Sequence, residues 1–175
     1  TLLLDADDRV HQARLHIVEF RGFEKFIQGR PYWEVPVMVQ RLCGICPVSH
    51  LVASAKAVDD IMAVEPTPTG ADLRRIINLG QIVQSNALSF FHLSSPDLLF
   101  GFDADPAIRN IVGVARKNPQ LARDGIELRK WGQQIIEWLG GKRIHPTGIV
   151  PGGVAFQMTE EVRDRILAGV PEAIA

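Results

Sequence analysis

The only two cysteines of the 175-residue chain, Cys43 and Cys46, stand in one short stretch, Arg41-Leu42-Cys43-Gly44-Ile45-Cys46-Pro47-Val48-Ser49-His50. Two residues separate them, one of them a glycine, and His50 follows four places after the second. A tight C-x-x-C turn brings both sulfurs to one side of the chain, so the pair can address a single centre. Thiolates are soft donors, suited to zinc, copper(I), nickel and iron rather than to magnesium or calcium. The spacing is also that of a dithiol redox couple. Two buried thiols packed as small hydrophobes are the third use such a pair can have. A structural zinc site needs two more ligands; His50, His92 and His145 are candidates, but none has a partner at the usual close spacing. A thioredoxin-like dithiol needs a strand before it in a βαβ unit, and the pattern around this turn is helical. A metal site completed by residues outside these 175 accounts for the absence of a second ligand pair.

The elements that must hold this turn can be read from periodicity and punctuation. Leu2 to Leu4, a polar Asp5-Ala6-Asp7-Asp8 turn and Val10 to Phe20 form a predicted β-hairpin. Within it Ala13, Leu15 and Ile17 alternate with Arg14, His16 and Val18. Phe23 to Gln28 is a helical turn or two closed by Gly29. Pro31 opens a second short helix whose apolar positions are Trp33, Val37 and Leu42, and Pro36 lies early enough to kink it without abolishing it. Beyond the cysteines the pattern changes to long helices. Val48 to Val64 is Ala-rich and stops before Pro66. Thr67-Pro68-Thr69 supplies a cap and first turn for a long helix over Ala71 to Leu93, with an apolar stripe of Leu73, Ile76, Ile77, Leu79, Ile82, Val83, Leu88 and Phe91. Ser94 to Asp105 reads as a loop, and Asp105-Pro106 as the cap of a shorter helix. Asn118-Pro119 starts another long helix carrying Leu121, Ile126, Leu128, Trp131, Ile135, Trp138 and Leu139, closed by Gly140-Gly141. Residues 142–158 form an irregular loop, and Thr159-Glu160-Glu161 starts a last helix through about Ala168. The aromatic residues Trp33, Trp131, Trp138, Phe90 and Phe91 are expected in the core. The fold class is α+β and predominantly helical: a small N-terminal antiparallel sheet and short helix over 1–30, then a helical bundle over 31–175, with the cysteine turn at their junction.

The totals exclude several classes. A formal charge of −1 gives no electrostatic case for nucleic acid or an anionic membrane. With 46% hydrophobic and 22% charged residues the composition is that of a soluble globular protein. No run of about 18 uncharged apolar residues is present, so no membrane span is expected. Two cysteines are too few for a disulfide framework, which makes a reducing compartment the expectation. The chain starts inside an apolar run, without Met and without a secretory leader, and reads as a segment of a longer protein.

Three elements in order carry a family resemblance. Arg41-x-Cys43-Gly44-x-Cys46-x-x-x-His50 resembles the N-terminal cysteine motif of [NiFe]-hydrogenase large subunits. Arg21-Gly22-Phe23-Glu24 resembles that family's R-G-x-E element, and His145-Pro146 with Pro151-Gly152-Gly153 resembles its H-P and G-G element. Cys46-Pro47-Val48-Ser49-His50 and Phe91-His92-Leu93-Ser94-Ser95-Pro96-Asp97 are most similar to the cytosolic, bidirectional NAD-reducing branch.

The resemblance implies that residues 1–175 are the N-terminal portion of one large-subunit domain, in which Cys43 is a terminal thiolate on nickel. It implies that Cys46 bridges nickel and an iron that carries CO and cyanide, with His50 donating a hydrogen bond to the bridging sulfur. These three are the expected catalytic residues. Glu24 matches the glutamate that helps bind a structural Mg2+, a hard cation that wants carboxylate oxygen; Arg21 is expected to fix its loop. His145, before a proline in a loop, is expected to be a structural hydrogen bonder rather than a ligand.

The implied reaction is reversible heterolytic cleavage of H2 into protons and electrons, the metal acting as Lewis acid beside a nearby base. Electrons would leave through iron–sulfur clusters of a small partner subunit, since two cysteines cannot hold a cluster. In the NAD-reducing branch a diaphorase module with flavin would pass them to NAD+; no G-x-G-x-x-G fingerprint is present in this chain. The family's second cysteine pair, a glutamate-bearing N-terminal element and an arginine over the metals have no counterpart here. The segment alone is therefore expected to lack half the nickel ligands and to be inactive. Two other readings compete: a non-catalytic scaffold like the quinone-side subunit of respiratory complex I, which lacks these cysteines, and a zinc-stabilised helical interaction module.

Overall fold

The computed structural model describes residues 1–14, 16 and 22–174. The chain forms two compact units, Thr1–Arg30 and Pro31–Ala175.

In the first unit, strands β1 (Leu2–Leu4) and β2 (Val10–Ala13) pair antiparallel, with Leu2 opposite Ala13 and Leu3 opposite Gln12. The connecting turn is held by Asp5, whose carboxylate accepts from the amides of Asp7 (2.9 Å) and Arg9 (3.0 Å). That local bond is why an acidic run here makes a turn rather than a strand. Leu15, Ile17, Val18 and Phe20 of the expected second strand, and Arg21, lie outside the described residues. Helix α1 (Phe23–Phe26) is a single turn that follows Gly22 at φ 114° and is closed by Gly29 at φ 76°. Both positive φ values suit glycine.

The second unit is helical. A 3-10 turn at Tyr32–Glu34 leads into α2 (Val35–Val39), with Pro36 in its first turn, and a second 3-10 turn at Gln40–Leu42 delivers the chain to Cys43. The buried face of this segment is not the expected one. Trp33 is 59% exposed and Val37 and Leu42 face solvent, while Pro36 and Gln40 are buried. Short 3-10 and α turns advance at different angles per residue, so a 3.6-residue stripe drawn through the whole stretch selects the wrong face.

Three long helices follow: α3 (Pro47–Met62), α4 (Pro68–Leu88) and, after a shorter pair, α7 (Pro119–Gly140). Helix α3 ends at Ala63, which takes the left-handed conformation at φ 51°. Helix α4 is capped by the Thr67 hydroxyl, which accepts from the Gly70 amide at 3.2 Å, with Pro68 at its first position. The expected loop after Leu93 is instead helical. The helix widens into a π-helical turn at Ser89–Ser94 and continues as α5 (Ser95–Phe100) until Gly101. The widening accommodates Pro96, which has no N–H to give. The Ser95 hydroxyl donates to the Phe91 carbonyl at 2.5 Å, the acceptor five residues before that proline.

Asp105 caps only a single turn, and the shorter helix α6 (Ile111–Lys117) starts six residues later. There the Asn110 side chain accepts from the amides of Val112 (3.0 Å) and Gly113 (3.1 Å). Within the expected loop 142–158, strands β3 (Ile149–Val150) and β4 (Gly153–Val154) form a minimal hairpin. Helix α8 (Glu160–Ile174) runs past the expected end at Ala168, with Pro171 inside it. The fold is α+β and predominantly helical, with two small antiparallel sheets.

The core joins α3 (Val48, Leu51, Ala55), α4 (Leu73, Ile77), α7 (Ile135, Ile136, Leu139) and Ile149 of β3. Trp131 of α7 and Val162 and Ile166 of α8 pack partly buried against it. Helices α4 and α7 approach closely because glycines face each other: a methyl at Gly132 would meet the Gly80 carbonyl at 2.7 Å and the Gln84 amide nitrogen at 2.8 Å. The buried stripe of α4 runs through Gly70, Leu73, Arg74, Ile77, Gly80, Gln81, Gln84 and Ala87. Leu79 and Ile82, expected on it, are exposed, as is Phe90 at 49%. Side chains expected to drive burial thus lie outside, and polar ones take their place inside.

Candidate metal centre

The cysteine turn lies within the second unit, between the 3-10 turn at Gln40–Leu42 and the first turn of α3. Cys43 is extended (φ −138°, ψ 129°), and Cys46 is the N-cap of α3, followed by Pro47 at the first helical position. A helix brings residues four apart onto the same side, and His50 is four after Cys46. The outcome is a convergent trio. The ligand atoms of Cys43, Cys46 and His50 lie within 4.8 Å of one another, each residue half-buried, and no other such group exists among the described residues. The two sulfurs are 2.6 Å apart and both cysteines are free.

The trio has an electrostatic order. Burial raises both thiols, but Cys43 accepts hydrogen bonds from the Cys46 thiol and from the Cys46 and Ile45 amides, and the net effect lowers it. Cys46 is pushed up to about 11 by burial, by donating its proton to Cys43 and by the negative charge on that sulfur. Of the two sulfurs Cys43 is thus the one that gives up its proton more readily, and a bound cation would displace the remaining thiol proton. Two adjacent sulfur donors and an imidazole, all half-buried, fit a soft transition metal and leave coordination positions for other donors.

The turn is braced from behind by groups absent from the sequence expectations. Gln81 and Gln84 of α4, 1% and 4% exposed, each donate a side-chain amide to the Ile45 carbonyl at 2.6 Å. The Ser49 hydroxyl donates to the side-chain Oδ1 of Asn78 at 3.2 Å. Arg41 turns back onto α2, donating to the Val37 carbonyl at 2.5 Å.

A second buried polar cluster holds the β3–β4 hairpin. The Arg74 guanidinium donates to Asp59 (2.6 Å) and to the carbonyls of Val150 (2.6 Å) and Gly153 (2.9 Å), while Asp59 accepts the Gly152 amide at 2.6 Å. Burial raises the Asp59 carboxyl, but these bonds outweigh it and hold it below the usual carboxylate range. The Pro151-Gly152-Gly153 element is therefore a strap fastened by α3 and α4. One signal could have found these residues. Arg74, Gln81 and Gln84 fall on the 3.6-residue stripe of Leu73, Ile77 and Ala87, where a polar residue needs a buried partner.

The other expected site residues are not members of the trio. Glu24 belongs to the first unit, in the first turn of α1, and its carboxylate is exposed. Arg21 is outside the described residues. His145 has φ 55°, and its buried Nε2 has no hydrogen-bond partner among the described residues; the same is true of Nδ1 of His92. The hydrogen-bonding role expected for His145 is therefore absent at Nε2. No helix among the described residues is long and apolar enough to cross a membrane.

The family model of nickel-dependent hydrogenases matches residues 21–108, half of the chain and the half that contains the trio. The chain is 47% identical to the NAD-reducing hydrogenase HoxS subunit beta of Cupriavidus necator, over 95% of this chain and 35% of that protein. It is also 47% identical to a vhu-type F420-non-reducing hydrogenase polypeptide of Methanocaldococcus jannaschii, over 99% of this chain and 42% of that one. A crystal structure of an NAD+-reducing [NiFe]-hydrogenase in the H2-reduced state superposes with a TM-score of 0.86 at 55% identity, covering 98% of this chain and 38% of the other. The Ni-Fe-Se hydrogenase of Desulfomicrobium baculatum superposes at 0.73 with 28% identity, over 89% of this chain and 35% of that one. The chain spans between about a third and two fifths of the length of these relatives. With its cysteine turn, its fold and its sequence all pointing the same way, the chain belongs to the nickel-dependent hydrogenase family.

Proposed function

We propose that this chain is part of the catalytic subunit of a [NiFe]-hydrogenase that interconverts H2 with protons and electrons and exchanges the electrons with NAD+. The observation that carries the reading is the convergence of Cys43, Cys46 and His50 within 4.8 Å at the start of α3. When bound, a nickel–iron centre with CO and cyanide on its iron supplies the Lewis acidity and redox capacity for heterolytic H2 cleavage. The chain's own residues bind and orient it. Cys43 presents the thiolate, and Cys46 gives up its shared proton to become the second sulfur donor. His50 donates a hydrogen bond toward the Cys46 sulfur and restrains its charge. Two sulfur donors do not close the site, so the remaining donors come from outside these residues. Glu24 contributes a carboxylate to a structural Mg2+.

Electrons leave through iron–sulfur clusters of a small partner subunit, and a flavin-containing diaphorase module carries them to NAD+. The complex is cytoplasmic. The likeness to HoxS subunit beta and to the NAD+-reducing enzyme supports this acceptor.

Infrared spectroscopy of the intact, matured parent protein tests the reading. Metal-bound CO and cyanide absorb away from protein bands, and both sets are expected together with stoichiometric nickel. Zinc without CO or cyanide bands overturns it and leaves a zinc-stabilised module.

A further inference from the structure

We infer that Gln81 and Gln84 tune the Cys43 sulfur through one peptide group, the one joining Ile45 to Cys46. This rests on the proposed metal-binding role of the cysteine turn and assigns two positioning residues to it. The carbonyl end of that peptide accepts both glutamine amides, each at 2.6 Å. Its N–H end donates to Sγ of Cys43 at 3.2 Å. Three hydrogen bonds are therefore in series across a single planar, conjugated group. Donors at a carbonyl oxygen draw electron density toward it and make the N–H on the other side a stronger donor. Its acceptor is Sγ of Cys43, one of the two proposed metal-binding sulfurs, so a change in the strength of this donor is felt at the atom that meets the metal.

Several features separate this arrangement from a loop tie. One amide would satisfy and anchor a turn carbonyl, yet two converge and saturate it. Both side chains are buried where apolar residues would pack, and the Gln81 Oε1 has no hydrogen-bond partner among the described residues. Gln81 is thus held for what its N–H groups give. The backing is also rigid. The Gly132 backbone of α7 sits directly against Gln84, with room for no methyl, and Gly80 packs beside Ile135. Side chains so confined keep their donors aimed at one carbonyl.

The test uses the full, partner-bound enzyme with Gln81→Met, Gln84→Met and the double variant, in which the thioether keeps length and packing but donates nothing. Loss of the donors leaves Cys43 more electron-rich. The nickel midpoint potential is then expected to move negative and the CO band to lower wavenumber, with the double variant displaced further than either single. Gln84→Glu, which sets an acceptor against the Ile45 carbonyl, is expected to displace both in the same direction. The metal-free subunit labelled with 15N-cysteine gives a second readout: the Cys46 amide proton resonance is expected to move upfield in the same order. Variants that load nickel normally with unmoved potential, bands and Cys46 resonance overturn the inference. So does failure of all the variants to assemble, which would make the glutamines structural supports only. Absence of CO and cyanide bands in the unsubstituted enzyme instead sinks the hydrogenase reading, and the Cys46 resonance still decides the relay.

Discussion

Arg74→Met, made in the protein that carries this chain, removes the guanidinium from a buried cluster and exposes how the hairpin strap is held. The Arg74 and Asp59 side chains are 5% and 6% exposed, and the cation also serves the carbonyls of Val150 and Gly153. Removing one member of a buried pair costs about 3–5 kcal/mol, because the other charge remains buried and unpaired. Two features place the expected cost near the low end. Asp59 keeps the Gly152 amide at 2.6 Å, and both side chains line a cleft of about 400 Å³ between α3 and α4 through which water can reach the carboxylate. The expected loss is therefore about 3 kcal/mol. Asp59→Leu strands the cation in the same way and is expected to cost a similar amount. The double variant Asp59→Leu/Arg74→Met buries no charge. What remains is the unpaired Gly152 amide and the two carbonyls, about 1–3 kcal/mol in all when cleft water satisfies part of them. The double variant should then cost no more than either single, a coupling of about 3 kcal/mol or more. Urea unfolding followed by far-UV circular dichroism measures all three against the unsubstituted protein, with midpoints compared at constant slope. Strictly additive losses, or a loss below about 1 kcal/mol for Arg74→Met, would refute the reasoning.

Further outcomes follow from the same structure. The folded Asp59 carboxyl titrates below its unfolded value of about 4, so its contribution is complete above that pH and is lost as pH falls through the folded value. Asp59→Asn should accordingly flatten the acid side of the stability curve below about pH 4, and an unchanged slope in acid unfolding would count against it. Gly132→Ala places a methyl within 2.9 Å of Gly80 and Gln84 and should lower stability by about 1–3 kcal/mol by prising α4 from α7, read as a fall in melting temperature. Asn110→Ala removes the cap of α6 and should cost about 1 kcal/mol, with faster amide exchange at Val112 and Gly113. Cys43→Ser, which replaces a soft donor by a hard one, should abolish stoichiometric nickel in the matured parent protein while leaving circular dichroism unchanged; full nickel retention would exclude Cys43 as a ligand.

The chemistry of this chain was legible wherever it depended on local spacing. The C-x-x-C turn with a histidine four places on needed only the geometry of a turn entering a helix, and Cys43, Cys46 and His50 converge accordingly. The Asp5 turn, the Thr67 cap with Pro68 and the Asn118-Pro119 start of α7 are likewise bonds or restrictions within a few residues, so the local sequence determines them. Burial was decided by tertiary structure. Leu79 and Ile82 are as apolar as Leu73 and Ile77, and only the arrival of α3 and α7 on one side of α4 selects between them. Arg74, Gln81 and Gln84 are buried because their acceptors, at Asp59, Val150, Gly153 and Ile45, come from 15 to 79 residues away in sequence. A polar side chain declares its place in a core only when its partner is present. The cysteine turn was therefore written in ten consecutive residues, whereas the glutamine brace behind it exists only once α4 has docked.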